Sequence, residues 1–287
     1  MYEMGSIILC CAISYKLSSY DYRLRRLIFP HIKANELYGS QMGLIKKYYD
    51  DKRSKFIFVI EEIGDLKLAE QLGIQVLHIR EKLLGAEHSD TLTSMGNLAI
   101  TYSRQGKWNE AEQLDIQVLG MRKKMLGAGH PDTLESMANL ANRYLRQGKW
   151  NEAEQLGVQV LDMRKKVLGA EHPDTLTSMG NLASTYSSQG KWNEAEQLDI
   201  QVLDTRKKVL GVGHPDTLGS MANLANRYSR QRKWNEAEQL EVQVLDMGAE
   251  HLLADTLTSM GNLANRYSHQ GKWNEAEQLD VQVLDMR

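Results

Sequence analysis

The chain repeats itself every 42 residues, and this period constrains its fold more than any other feature. A string close to Gly-Lys-Trp-Asn-Glu-Ala-Glu-Gln-Leu marks each copy, and the intervals between its tryptophans are 42 three times and then 39. A fixed period of this length is typical of stacked supersecondary units, each too small to bury its apolar face alone. The sequence therefore predicts a linear array of units. The marker tryptophans are Trp108, Trp150, Trp192, Trp234 and Trp273.

The first half of each copy predicts a turn followed by an amphipathic helix, which we call helix A. In the copy that follows Gly169, this glycine is expected to end the preceding helix, Pro173 fits the first turn, and Asp174 is the expected N-cap. The apolar residues that follow recur at helical spacing and share one face. They are Leu176, Met179, Leu182, Ala183 and Tyr186.

The second half of each copy predicts a longer helix B, which begins after a Gln-Gly-Lys turn. We expect its tryptophan to fill the volume beside the turn and its alanine to allow close approach of the two helices. Its apolar positions are Trp192, Ala195, Leu198, Val202 and Val209. Each copy is therefore an antiparallel helix pair, and the predicted fold class is all-α, an α-solenoid of such pairs.

About five pairs are clear, and a sixth, degenerate pair precedes them. Residues 56–60 have the local propensity of a strand, but the helix B that follows needs a mate, so we expect a helix over 49–63. Residues 1–48 are predicted to be a basic segment, partly helical or poorly ordered. The array should span residues 49–287, with units near 49–89, 90–131, 132–173, 174–215, 216–254 and 255–287.

Three places depart from the repeat. After Met247 five residues of the pattern are lost and two gained, so this helix B should be about 7 Å shorter, with a change of twist or a weak point in the stack. Arg232 replaces the glycine of the turn, at a cost of roughly 1 kcal/mol if the site needs a positive φ. Arg287 falls inside the last helix B, from which we expect either self-association through an uncapped end or a fragment of a longer protein.

Charge and composition limit the classes of partner. Residues 1–60 carry ten Lys and Arg against five Asp and Glu, but the whole chain has a net charge of −2, which argues against nucleic-acid binding. The two cysteines, Cys10 and Cys11, are adjacent and form no disulfide framework or zinc spacing. No secretory signal or membrane-spanning stretch is apparent. We therefore expect a cytoplasmic protein with no membrane partner.

The repeat resembles the tetratricopeptide repeat in its 42-residue, kinesin-light-chain-like form. The likeness lies in Leu-Gly-Ala-Glu-His-Pro-Asp-Thr-Leu, in Asn-Leu-Ala with a following Tyr, and in Gln-Gly-Lys-Trp-Asn-Glu-Ala-Glu, and it covers residues 61–287. The near identity of the copies also looks like arrays of fungal nucleotide-binding sensor proteins, although no phosphate-binding loop is present. The resemblance implies a concave groove lined by A helices, in which an Asn row contacts peptides.

The helical spacing shows which residues would line such a groove, because Asn181 lies opposite Met179 and Leu182. Amides can both donate to and accept from a peptide backbone, and arginines bind carboxylates, so we expect a short acidic or mixed peptide. The alternative is that these are merely solvated residues of copied units. The predicted groove residues are Asn97, Asn139, Asn142, Arg143, Arg146, Asn181, Asn223, Asn226, Arg227, Arg230, Asn262, Asn265 and Arg266.

No catalytic, metal or cofactor site is predicted. The histidines of the turns, such as His172, are about 10 Å apart from repeat to repeat and cannot share an ion, so a turn or capping role is expected. No nucleophile with an orienting base is recognisable. The leading hypothesis is a non-catalytic protein-interaction scaffold. The alternatives are a ligand-sensing or oligomerisation module of a larger nucleotide-binding signalling protein and a kinesin-light-chain-like cargo adaptor.

Overall fold

The computed structural model describes residues 30–31, 50–248, 260–261, 263–264, 267–268 and 271–285, and nearly all of these residues are helical. The predicted basic segment, the joint after Met247, and Asn262, Asn265 and Arg266 therefore lie outside the described residues, apart from Pro30 and His31. The helices are α1 Asp50–Ile63, α2 Leu66–Leu84, α3 Ser89–Arg104, α4 Trp108–Leu126, α5 Pro131–Arg146, α6 Trp150–Leu168, α7 Pro173–Ser188, α8 Trp192–Leu210, α9 Pro215–Arg230, α10 Trp234–Gly248 and α11 Trp273–Asp285.

The described helices form consecutive packed pairs, so the predicted all-α array of helix pairs is confirmed. They fall into two compact units, one up to Ser136 and one from Met137. The first unit contains the degenerate pair, α1 with α2. Phe56, Val59 and Ile60 follow the i, i+3, i+4 spacing and pack on α2, so burial of this face outweighs their strand propensity.

Separate apolar clusters lie along the described array. In the first unit, Leu92 and Met95 of α3 pack with Val118 of α4. In the second unit, one cluster joins α6, α7 and α8, and another joins α8, α9 and α10. A succession of local clusters is the arrangement expected of a repeat array, in which each unit contacts only its neighbours. The two clusters of the second unit contain Leu161, Leu176, Met179, Leu182 and Val202, and Leu203, Leu218, Met221, Leu224 and Val244.

The start of helix A is capped by histidine, so the prediction of an Asp cap is wrong. Nδ1 of His172 accepts a hydrogen bond from the backbone N–H of Asp174 at 3.2 Å, and Pro173 occupies the first helical position. The same contact begins α3 and α9, from His88 and His214. The predicted capping role of these histidines is confirmed, and the aspartate lies in the first turn, where its charge favours the helix dipole.

The tryptophans were expected to fill the volume beside the turn and to begin the apolar stripe of helix B; they lie beside the turn but remain partly exposed. Trp150 and Trp192 are 44 % and 37 % exposed, whereas Ala195 is fully buried. Val209, assigned to the same stripe, is 50 % exposed. Trp is the first residue of its helix, at the outer end of the turn, so the interior of the pair is filled by the alanine and by aliphatic side chains instead.

An arginine near the end of four of the B helices, α2, α4, α6 and α8, holds the start of the next helix A, and we call this contact the arginine link. Nη1 of Arg206 donates to the carbonyl of Asp216 at 3.0 Å and to Oγ of Ser220 at 2.7 Å. Arg80, Arg122 and Arg164 make the same pair of contacts one repeat apart. The link satisfies a carbonyl in the first turn and ties one pair to the next.

A lysine in the turn between helices A and B ties each pair to the preceding one. Nζ of Lys191 lies 5.2 Å from the centre of the Tyr186 ring and 2.7 Å from a carboxylate oxygen of Glu154 in the preceding helix B. Lys107 and Lys233 make the same contacts with Glu70 and Glu196. The lysine contact combines an ion pair with a cation–π contact, although exposure to solvent limits the free energy that each contributes to stability.

Candidate functional site

A cavity of about 820 Å³ lies in the second unit, where α7 and α9 form its walls and α8 contributes the floor. Thr177, Asn181 and Ser184 of α7 face it, whereas Met179 and Leu182 on the opposite side of this helix are buried in the core. The helical spacing therefore predicted correctly which face of helix A is available. A cavity of this size is within the range of ligand sites in proteins.

Five of the predicted groove residues line this cavity: Asn181, Asn223, Asn226, Arg227 and Arg230. The four on α5 and Asn97 on α3 do not line it. Among these, Asn97, Asn139 and Arg146 are exposed, Asn142 is half-buried and Arg143 is buried. The predicted row is thus brought together at α7 and α9.

Arg227 was expected to be available for the carboxylates of a ligand, and the structure corrects this expectation. Its guanidinium is 8 % exposed, and its Nε donates to the carboxylate of Asp199 while its Nη1 donates to the carbonyl of Ala183 at 3.0 Å. Arg143, the equivalent residue on α5, is likewise only 6 % exposed. Arg227 thus holds neighbouring helices, and Arg230 is the exposed arginine of the cavity wall.

Burial affects the protonation of the carboxyl group in this ion pair. Loss of solvation raises the pKa of the Asp199 carboxyl, and the hydrogen bond and charge of Arg227 oppose that rise. The pair contributes little net charge to the cavity while both partners are ionised. The positive charge that remains in its lining is that of Arg206, in the arginine link, and of Arg230.

Serine hydroxyls form much of the wall, and sequence reasoning did not single out their role. Ser184 and Ser188 each donate to a carbonyl one turn earlier in α7, and Ser229 does the same in α9. Ser187 is 4 % exposed, lines the cavity, and has no hydrogen-bond partner for its Oγ among the described residues. A buried hydroxyl without a partner is costly unless a ligand or water satisfies it. The position of Ser187 in the sequence, next to Ser188, did not indicate that its hydroxyl would be buried without a partner.

No group of acidic, histidine or cysteine side chains that could hold a metal ion occurs in the described part of the chain. Within the same residues, no helix is long and apolar enough to cross a bilayer.

Comparison with known proteins agrees with the geometry of the helix pairs. A tetratricopeptide repeat model matches six consecutive segments, residues 62–90, 91–132, 133–174, 175–216, 217–255 and 256–287. The chain belongs to the tetratricopeptide repeat family. No curated protein matches it in sequence.

Solved structures place the chain among kinesin-light-chain-like members of this family. It is similar to a kinesin-light-chain-type protein of Podosopora anserina with nearly identical TPR-like repeats, at 33% identity over 71% of this chain and 98% of that one, with a TM-score of 0.61. A second structure of that protein gives 32% identity and a TM-score of 0.62, with the same coverage. BtubC from P. vanneervenii shares the fold, at 20% identity over 77% of this chain and 91% of that one, with a TM-score of 0.65.

Proposed function

We propose that the chain is a non-catalytic scaffold that binds an extended segment of a partner protein in the cavity between α7, α8 and α9. The observation that carries this proposal is the polar face that two successive A helices present across the cavity, with Asn181 on one and Asn223 on the other. Amide side chains at these positions can donate to and accept from the backbone of a peptide. Membership of the tetratricopeptide repeat family supports the proposal, because such arrays typically bind proteins or peptides.

The charge of the cavity favours an acidic segment. The ion pair of Arg227 with Asp199 is internally neutral, so Arg206 and Arg230 leave an excess of positive charge in the lining. Arg230 is exposed, which leaves its planar guanidinium accessible to a carboxylate of the ligand. The buried hydroxyl of Ser187 offers a further hydrogen bond to a group that enters the cavity.

A random library of displayed 12-residue peptides, selected on the purified chain, would test the proposal. Enriched peptides are labelled, and their Kd is measured by fluorescence anisotropy on the wild type and on two variants, Asn223→Ala and Arg230→Glu. We expect enrichment of Asp and Glu. Each variant should weaken binding by about tenfold or more, because each removes a group that contacts the ligand.

Lys165→Glu is the matched control. It makes the same change of charge as Arg230→Glu at an exposed position of α6 that does not line the cavity. We expect the control to leave the Kd within about twofold of the wild type, since exposed charges at a distance are screened by salt. Peptides that bind all three variants and the wild type equally well would contradict the assignment of the cavity.

A further inference from the structure

The joints between helix pairs are of two kinds, which the 42-residue period conceals. One position of helix B is either glycine or an acidic residue, and one position of the following helix A is either threonine or arginine. The two kinds alternate from Gly73 to Asp199, and the next joint, at Glu241, is acidic again. Every glycine is followed by threonine, and every acid by arginine. The helix B residues are Gly73, Asp115, Gly157, Asp199 and Glu241, and the helix A residues are Thr101, Arg143, Thr185, Arg227 and Arg266.

At the acidic joint of α8 with α9 the two residues form a buried ion pair. Asp199 and Arg227 are 6 % and 8 % exposed, and Arg227 also donates to the carbonyl of Ala183 in the preceding helix A. The arginine thus connects three successive helices, α7, α8 and α9. A buried pair of this kind is tolerated while both members are present, but removal of one leaves the other charge buried without compensation.

At the glycine joint of α6 with α7 the same space is narrow and is lined by no charged side chain. A Cβ atom added to Gly157 would lie 3.2 Å from Cδ1 of Leu182, and one added to Gly73 would lie 3.2 Å from Cδ1 of Leu98. A small cavity of about 10 Å³ remains there, lined by Gly157 and Thr185 among others. Thr185 turns its hydroxyl to the carbonyl of Asn181 at 3.2 Å. A carboxylate at Gly157 would therefore be crowded and would face no cation.

We infer that the face of helix B has two versions, each of which accepts only its own kind of helix A. An acidic face accepts a helix A that carries arginine, and a glycine face accepts one that carries threonine. Over the joints from Gly73 to Arg227 the two kinds alternate, so the structural unit of this stretch is the double pair of 84 residues. Within this stretch, a single pair cannot be removed or duplicated without a buried charge being left alone.

Deletion of one pair tests this inference cleanly. Removal of residues 174–215 joins Pro173 to Asp216 and keeps a native His-Pro-Asp turn, but it places α9 directly after α6. Arg227 then faces Gly157. The substitution Gly157→Asp in this shortened chain restores an acid opposite the arginine, whereas the same substitution in the full chain places a carboxylate opposite Thr185.

The substitution should have opposite signs in the two chains. We expect Gly157→Asp to raise the urea midpoint by about 1 M in the shortened chain and to lower it by a similar amount in the full chain. Unfolding is followed by far-UV circular dichroism at pH 7. Gly157→Ala in both chains is the control, because it adds a Cβ without a charge. A change of the same sign in both chains would overturn the inference.

A second deletion covers the case in which the first shortened chain does not fold. Removal of residues 132–215 places α9 after α4, so that Arg227 faces Asp115. This chain should unfold cooperatively, and Asp115→Gly in it should lower the urea midpoint by about 1 M. An unchanged midpoint would show that the joint does not need the acid and would contradict the inference.

Discussion

The turn between helices A and B requires one residue with a positive φ, and a single non-glycine residue meets this requirement in the described chain. Arg232 has φ 61°, close to the 76° to 78° of its counterparts Gly106, Gly148, Gly190 and Gly271. A side chain disfavours this region because Cβ approaches a carbonyl oxygen. The turn thus determines the backbone conformation at this position, and Arg232 adopts the positive φ at a cost in free energy.

The substitution Arg232→Gly should raise the free energy of unfolding by about 1 kcal/mol, because glycine reaches a positive φ without a steric penalty. Urea denaturation at pH 7 gives the difference. The reverse change, Gly190→Arg, is the matched control and should lower the free energy of unfolding by a similar amount. A midpoint that does not move in Arg232→Gly would mean that the arginine makes a compensating contact.

Residue preferences gave wrong assignments at two positions where the register relative to the turn decides the role of the side chain. Asp174 was assigned as N-cap because Asp ranks high in that role, but Pro173 at the first helical position leaves His172 as the cap. Trp192 was assigned to the apolar stripe of helix B because it is aromatic, although it begins its helix and is 37 % exposed. In both cases the register relative to the turn mattered more than the type of side chain.

The contact between successive elements is pH-dependent at Glu154. The hydrogen bond from Lys191 lowers the pKa of the Glu154 carboxyl below its ordinary value of 4.5, against a smaller opposing effect of burial. The unfolded chain therefore takes up a proton at higher pH than the folded chain. The stabilisation is complete above the ordinary value and is lost as the pH falls through the folded-state pKa.

Glu154→Gln removes this charge at little change of shape. We expect the variant to have a lower urea midpoint than the wild type at pH 7, and the difference to shrink towards pH 3, where the wild-type carboxyl is also neutral. Glu152→Gln, at an exposed position of the same helix, controls for the loss of one negative charge. A difference that stays constant between pH 7 and pH 3 would contradict the role of the ion pair.

Local pattern predicted the elements well and their side-chain partners less well. The spacing of apolar residues identified the helix pairs, including α1 despite its strand propensity, because burial of one face is a property of each segment. Arg227 lies beside Asn223 on a helical projection and was therefore assigned to the groove. Its actual partner, Asp199, is 28 residues upstream, and only packing of α8 against α9 brings the two together.

Among the described residues, the arginine link recurs at four joints, and the sequence has no arginine for it at a fifth. Gly248 occupies the position of Arg206 in the repeat. The expected shortening of this helix B lies outside the described residues. Without the guanidinium, the carbonyl and serine contacts made at the other joints cannot form here.

We therefore expect α11 to open more readily than the interior helices of the second unit. Hydrogen exchange followed by mass spectrometry should show faster exchange in α11 than in α8, because local opening needs fewer contacts to break. Arg206→Gly provides the matched comparison, since it removes an interior link and should speed exchange in α9. Equal protection of α8 and α11, together with an unaffected Arg206→Gly, would contradict this role of the link.

The alternation of acidic and glycine faces also bears on how such a protein changes through inheritance. When two copies of its gene recombine out of register between residues 66 and 230, an offset of one helix pair leaves a buried aspartate or arginine alone. An offset of two pairs matches the new joint within this stretch. Selection for folded protein then admits gains and losses there mainly in steps of 84 residues, and the parity of the pair number in this stretch is preserved as a lineage diverges.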